Sequence, residues 1–360
     1  MIPFKRMVIK QAILVGPKKI VFRERRLKKL KKKEILVKVA ACGICSTEIP
    51  VYQGLTIKKP GASFRHAKYP CALGHEVVGI VISFGSAVTT FKKGDRVTGM
   101  AYFDSGFATH VIEPEESWVK IPEKVVIEHA LGEPLAAVTN IVRLANPDFG
   151  DFVLIVGDGF MSLLAISILS KYPLKSLVVV GHHDNRLKLA KKFGATSIIN
   201  SKNEDPYWAV RNLVDNKNKN MPVTPWLNGV DLAFDFTGKM AGLQLCASLC
   251  KPKKRARLVM AGVYGNEKFT LGEYLVNRGP ILLPSYPAQS LNIMDDVKRA
   301  MWALEKGLFP MDKLITHAFS LSRLDDAMKF AISKDDNFIK GIVTPDIKMM
   351  ESKKTYKILN

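Results

Sequence analysis

The sequence predicts a two-domain α/β protein in which an all-β, barrel-like region precedes a doubly wound parallel-sheet domain. Three observations lead there. At 360 residues the chain exceeds what one compact core usually holds, which favours two domains. Over the first hundred or so residues, short β-rich runs alternate with turn signals. From about residue 150 the pattern changes to apolar runs, each followed by a helical stretch, as a sheet covered on both faces requires.

The β-rich runs come in order as QAILVG, KIVFRE, EILVKVAAC, VVGIVISFG, DRVTGMAYF and FATHVIEP, with Gly85 and Gly94-Asp95 placed where hairpins turn. The α/β part begins with DFVLIVGDG and the helical FMSLLAISILSKY, then SLVVVG, NRLKLAKKFGA and SIIN. It continues through VDLAFDFTG, a helix over LQLCASLCK, and RARLVMAG. An amphipathic helix, NIMDDVKRAMWALEKG, then leads into LITHAFSLSRLDDAMKFAISKD and a last strand, FIKGIVTPD. The expected boundaries are residues 1–145 for the β-rich domain, 146–287 for the α/β domain, and 288–360 for a return to the first domain. The final MMESKKTYKILN reads as a loosely held basic tail.

A hydrophobic share of 47% with 24% charged residues is that of an ordinary globular protein and excludes a disordered chain. No apolar run is long enough to span a bilayer, and Lys10 and Gln11 interrupt the N-terminal one, so a cytoplasmic, unprocessed protein with no membrane partner is expected. Five cysteines, an odd and sparse set, argue against a disulfide framework and for a reducing compartment. The net charge of +21 is concentrated in RERRLKKLKKKE and KPKKRARL. Neither run interleaves aromatic residues and no DNA-reading spacing occurs, so a phosphate-bearing small molecule is expected rather than a nucleic acid.

The strand VLIV ends in Gly157-Asp158-Gly159-Phe160-Met161-Ser162, a G-x-G-x-x-S turn that opens a helix. Gly157 permits the tight turn and Gly159 lets a pyrophosphate approach the backbone, while the free N–H groups at the start of the helix, over Phe160 and Met161, attract the anion. The next strand ends in Gly181 rather than in the acidic residue that takes the ribose hydroxyl of NAD; His182, His183, Asp184, Asn185 and Arg186 come after it. A missing carboxylate with a nearby arginine points to NADP(H) over NAD(H), the alternative being that Asp184 takes the ribose.

Cys45, His75, Glu76 and Glu133 offer a thiolate, an imidazole and carboxylates, a set suited to zinc with one position left open. Cys42 stands two residues before Cys45, but no second ligand pair completes a zinc knuckle and the setting is not that of a helix-start dithiol; Cys42 reads as a buried strand residue. The segments GICSTE, YPCALGHEVVGIVISFGSAVTTFKKGDRV and GEPLAAVTN, succeeded by the dinucleotide fold, resemble the medium-chain zinc-dependent alcohol dehydrogenases, in particular the polyol or sorbitol dehydrogenase branch. The resemblance spans residues 7 to about 346.

That resemblance implies a GroES-like β-barrel catalytic domain and a Rossmann domain, with the reaction in the cleft between them and a homodimer or homotetramer as the assembly. It implies one catalytic zinc held by Cys45 and His75 with Glu76, while Glu133 ligates the metal or hydrogen-bonds its water. Thr47 takes the substrate's proton, Thr139 lines the nicotinamide pocket, and Lys340 reaches the cofactor pyrophosphate. The implied reaction is hydride transfer between NADP(H) or NAD(H) and a secondary alcohol or its ketone, with a polyol, sugar or cyclitol as substrate. A zinc-free, quinone-reductase-like NADPH binder is the alternative, and the joint presence of Cys45, His75 and Glu76 speaks against it. Two departures stand out. GMAYFDSGFATHV lacks the four cysteines of the structural-zinc lobe, so that zinc is expected to be absent, and Pro50 stands where a relay histidine is usual.

Overall fold

The computed structural model describes residues 7–55, 68–101, 105–215, 228–252, 255–264, 268–285, 290–333, 335–351 and 356–359. They form two compact units, Met1–Ala136 with Met294–Asn360, and Ala137–Ile293.

The first unit opens on a hairpin of β1 (Val8–Gly16) and β2 (Lys19–Arg26), to which the short β4 (Cys71–Ala72) adds a third strand on the far side of β1. β2 is an edge strand, and its arginines lie mostly in solvent. The larger sheet is built around β3 (Glu34–Gly43), buried over nearly its whole length because it pairs with β5 (Glu76–Phe84), with β7 (His110–Pro114) and with β16 (Lys340–Thr344). β6 (Arg96–Met100) and β8 (Trp118–Lys120) extend it beyond β5. Val37, Val39, Val77, Val81, Val97 and Val111 make the centre of the core, where β-branched side chains fill the pleat. The bridge between Gln11 and Ala108 ties the two sheets together.

The pairing register decides which strand ends meet. Gly43 at the end of β3 lies opposite Glu76 at the start of β5, and Ile342 of β16 lies opposite Gly43. The ends of three strands therefore converge beside the loop that carries Cys45 and the helix α1 (Glu48–Gln53). The helix α2 (Gly132–Ala145) starts in this unit and crosses the boundary at Ala136.

The second unit is a six-stranded parallel sheet in the order β11-β10-β9-β12-β13-β14, formed by β9 (Phe152–Val156), β10 (Ser176–Gly181), β11 (Ser197–Asn200), β12 (Leu232–Asp235), β13 (Arg257–Met260) and β14 (Ile281–Pro284). Every residue of β9 and of β12 is buried, which is why those strands read as unbroken apolar runs. The helices α3 (Phe160–Leu169), α4 (Asp184–Lys192), α5 (Pro206–Val214), α6 (Met240–Leu249) and α7 (Gly272–Arg278) join the strands. The chain leaves β9 toward β10 on one side and returns to β12 on the other, so the strand order reverses at β9, the place where such sheets bind ligands.

The chain re-enters the first unit through α8 (Ile293–Glu305), then α9 (Met311–Leu314), β15 (Ile315–Ser320) and α10 (Leu324–Ser333) before β16. The expectation of a loosely held C-terminal tail is corrected. Met350 and Tyr356 are buried, the Tyr356 hydroxyl meets His129 Nε2 at 2.7 Å, and β17 (Lys357–Leu359) pairs in parallel with β15. One aromatic anchor and a three-residue strand outweigh the lysines that suggested a solvated end. Among the described residues no helix is long and apolar enough to cross a membrane.

Candidate active site

Two groups of polar residues stand out, one in each unit. In the first, Cys45 Sγ, a ring nitrogen of His75 and a carboxylate oxygen of Glu76 lie within 4.8 Å of one another. Strand geometry brings them together. The Ile44 N–H donates to Gly341 O at 3.0 Å and fixes the loop before Cys45, while His75 and Glu76 stand at the entry to β5.

Glu48, in the first turn of α1, knits these loops. Its Oε1 accepts from the Gly74 N–H at 2.5 Å and lies 3.3 Å from His75 Nδ1, and its Oε2 accepts from the Cys45 N–H at 3.2 Å. Glu48 is buried, so these contacts are little screened by solvent. Burial works against a charged His75 imidazole, yet the Glu48 carboxylate and the Cys45 side chain beside it hold its pKa well above the ordinary value. A thiolate, an imidazole and a carboxylate in contact are donors that a divalent metal would take in place of a proton, and they fit zinc.

Glu76 is also held from below. Lys340 Nζ lies 2.7 Å from its Oε1 and 2.5 Å from its Oε2, and donates to Ile44 O at 2.9 Å, with both side chains buried. Gly43 makes the room: a Cβ there would collide with Glu76 Oε2. Glu133, half-buried at the start of α2, is pushed up to about 7 by burial, with His75 opposing the rise and Glu76 adding to it. The Thr47 hydroxyl donates to Cys45 Sγ at 3.1 Å.

In the second unit the turn after β9 has Gly157 at φ +118°, a conformation that other residues resist. A Cβ on Gly159 would meet nothing within 4 Å, which leaves open space before the N-terminal turn of α3, over Phe160 and Met161. Such a cradle fits a dinucleotide pyrophosphate. Ser162 is fully buried and its hydroxyl donates to Gly159 O at 2.8 Å, so the small third position still packs the helix on the sheet.

Asp158 is the least expected member of this turn. Its Oδ2 accepts from the N–H groups of His182 and His183, each at 2.8 Å, and its Oδ1 lies 3.0 Å from His183 Nδ1. Arg186 Nη1 is 4.0 Å from the same Oδ1 and 3.3 Å from His183 Nδ1. The His182 and His183 rings lie 3.9 Å apart between centroids, tilted by 42°. Burial would raise the Asp158 pKa, but the bonds from His183 and His182 outweigh it and hold the carboxyl below its ordinary value.

The sequence profile of the alcohol dehydrogenase GroES-like domain matches residues 31–123, and that of the zinc-binding dehydrogenases matches residues 161–286. The chain belongs to the medium-chain zinc-dependent alcohol dehydrogenases. It is 23% identical to the sorbitol dehydrogenase of Bacillus subtilis over 87% of this chain and 90% of that one. It is 25% identical to the D-arabitol-phosphate dehydrogenase of Enterococcus avium over 82% of this chain and 85% of that one. The crystal structure of a zinc-binding dehydrogenase from Sinorhizobium meliloti 1021 bound to NADP shares the fold, with a TM-score of 0.78 at 24% identity over 94% of this chain and all of that one.

In this dehydrogenase the residues singled out in the sequence fall into two sets. Cys45, Thr47, His75, Glu76 and Glu133 lie in the first unit, and Thr139, Gly157, Gly159, Phe160, Met161, Gly181, His182, His183 and Arg186 in the second. Lys340 lies in the first unit with Nζ engaged by Glu76 and Ile44 O, so β16 delivers a buried ion pair rather than a solvent-facing cation. Asp184, the alternative ribose acceptor, takes the Asn200 amide at 2.6 Å. Glu48 and Asp158 are the members of these sites that the sequence does not single out. The acidic position in GICSTE is a signal for Glu48, whereas Asp158 sits at the variable position of the glycine turn and carries no signal there.

Proposed function

We propose that this chain is a zinc-dependent oxidoreductase that moves hydride between NADP(H) and a secondary alcohol or its ketone, with a polyol, sugar or related cyclic alcohol as substrate. One observation carries the reading: the mutual approach of Cys45, His75 and Glu76 in the unit that matches the GroES-like alcohol dehydrogenase profile. The polyol class is supported by relatives that are sorbitol and D-arabitol-phosphate dehydrogenases. The NADP(H) choice is supported by Gly181, where an acidic residue would serve NAD, and by Arg186 and two histidines beside it.

When bound, the metal polarises the substrate oxygen and the nicotinamide takes or gives the hydride. The protein's share is positioning. Cys45, His75 and Glu76 would hold the ion, with Glu133 the nearby carboxyl for a further ligand or a bound water. Glu48 holds His75 through its Nδ1, which would leave the other ring nitrogen for the ion. Thr47, whose hydroxyl donates to Cys45 Sγ, would take the substrate's proton. Pro50 passes none, so release falls to Thr47 and Glu133.

The test is metal analysis joined to a screen of polyols, simple alcohols and their ketones with both cofactors, monitored at the absorbance of the reduced nicotinamide. About one zinc per chain with turnover of polyols is expected. NADPH binding without zinc and without alcohol turnover would refute the assignment. We also propose a homo-oligomer built on the α/β unit, since β14 is an edge strand among the described residues and its Ile281, like Val276 of α7, is exposed; light scattering of the purified protein tests this.

A further inference from the structure

We propose that Asp158 is the cofactor-selecting acid of this fold, displaced from the end of β10 into the glycine turn, and that Asp158 with Gly181 forms one coupled device that rejects NAD. The inference rests on the NADP(H) reading above and says how the chain enforces it.

The geometry starts from the sheet. β9 and β10 run parallel with Val156 opposite Val180, so the turn at 157–159 and the strand end at 181 are spatial neighbours. A Cβ on Gly181 would lie 2.5 Å from Asp158 Oδ2, 2.7 Å from its Cβ and 2.8 Å from its Cγ. The Asp158 carboxylate thus fills the volume that a side chain at 181 would need. Gly181 is not among the residues with positive φ, so space alone demands a glycine there. The two positions exclude each other: an acid at 181 requires a small residue at 158, and an aspartate at 158 requires glycine at 181.

Moving the acid changes what it can do. At the end of the second strand a carboxylate accepts the ribose hydroxyl of NAD. At 158 the carboxylate is 3% exposed and turned toward the protein's own donors, the N–H groups of His182 and His183 and the His183 ring. Its charge also holds Arg186 near His183. The result is a loop in which the Asp158 carboxylate is engaged by the protein's own donors and Asp184 takes the Asn200 amide, while Arg186 and the His182 ring stand beside the strand end where an acid would serve a 2′-hydroxyl. A 2′-phosphate, with three acceptor oxygens and negative charge, is the complement of such a loop.

The experiment measures dissociation constants of NADP⁺ and NAD⁺ by calorimetry, without turnover, for the full-length chain and for Gly181→Ala, Gly181→Asp, Asp158→Ala and Asp158→Ala/Gly181→Asp, with thermal melts of each. The parent should favour NADP⁺. Either substitution at 181 alone should weaken both cofactors, because the new side chain meets Asp158. The double variant should recover binding and favour NAD⁺ by about tenfold or more, the worth of a hydrogen-bonded pair to a charged acceptor. Should the Asp-containing variants not fold, Gly181→Ala with and without Asp158→Ala asks the same question with the smallest side chain. Additive effects at 158 and 181, or a Gly181→Asp chain that binds NAD⁺ well with Asp158 in place, would overturn the inference and leave the NADP(H) reading standing. A parent that prefers NAD⁺ would overturn both the reading and the selecting role.

Discussion

Replacing Lys340 with methionine probes the metal centre from beneath. The methionine keeps most of the aliphatic volume and removes the ammonium that lies 2.5 to 2.7 Å from the Glu76 carboxylate oxygens. Glu76 is 1% exposed, so without Lys340 and without a metal its charge is buried and unpaired. Breaking one partner of such a pair costs about 3–5 kcal/mol. The first unit holds roughly 200 residues, for which about 2–4 °C is lost per kcal/mol, so the metal-free variant should melt about 6–20 °C below the parent. A bound divalent cation would neutralise the same carboxylate, and zinc should therefore raise the melting temperature of Lys340→Met more than that of the parent. Thermal melts in chelator and in stoichiometric zinc read both effects. A metal-free variant within about 2 °C of the parent, or equal stabilisation of the two proteins by zinc, would refute the reasoning about Glu76.

Three further outcomes are expected. Glu48→Gln should leave the fold intact and lower zinc affinity about 10- to 100-fold, measured by competition with a chromogenic chelator, because it loosens His75 and the Cys45 loop together. Cys45→Ser should cut bound zinc from about one per chain toward none with unchanged far-ultraviolet circular dichroism, since Cys45 lies on a loop outside the strands. The third concerns acid. The Asp158 carboxyl titrates below its ordinary 3.8 when folded, so as pH falls the unfolded chain takes up the proton first. Its contribution is thus complete above the ordinary value and fades below it; urea melts of the parent and of Asp158→Asn should differ by a constant amount above about pH 5 and converge below about pH 4. A gap that widens on acidification would contradict the sign.

Much of the fold is legible in the sequence because its strands obey simple rules. The unbroken VLIV and LAFD runs are buried on both faces, and EILVKVAAC is the strand that the first unit packs around. The short pieces are not legible: β4, β8 and β17 have two or three residues, too few for alternation to register. In the metal centre, thiol, imidazole and carboxylate announce themselves by chemistry. The Lys340–Glu76 pair does not, since two residues 264 apart meet only through the register that sets Ile342 against Gly43 and Gly43 against Glu76. Asp158 is hidden for the opposite reason: its neighbours His182 and His183 draw notice, but a carboxylate in a glycine turn reads as tolerated rather than used.

Gly43 contributes to the proposed metal centre through the side chain it lacks. Its backbone does not require glycine, so the residue is explained by the oxygen that lies where a methyl group would be. In the proposed zinc-holding role Glu76 would be limited by volume before it is limited by charge. A chain carrying alanine at 43 could keep every donor atom named above, retain its sheet, and still hold Glu76 at the wrong height. Loss of a metal in a related sequence can therefore originate at a position that contains no ligand at all.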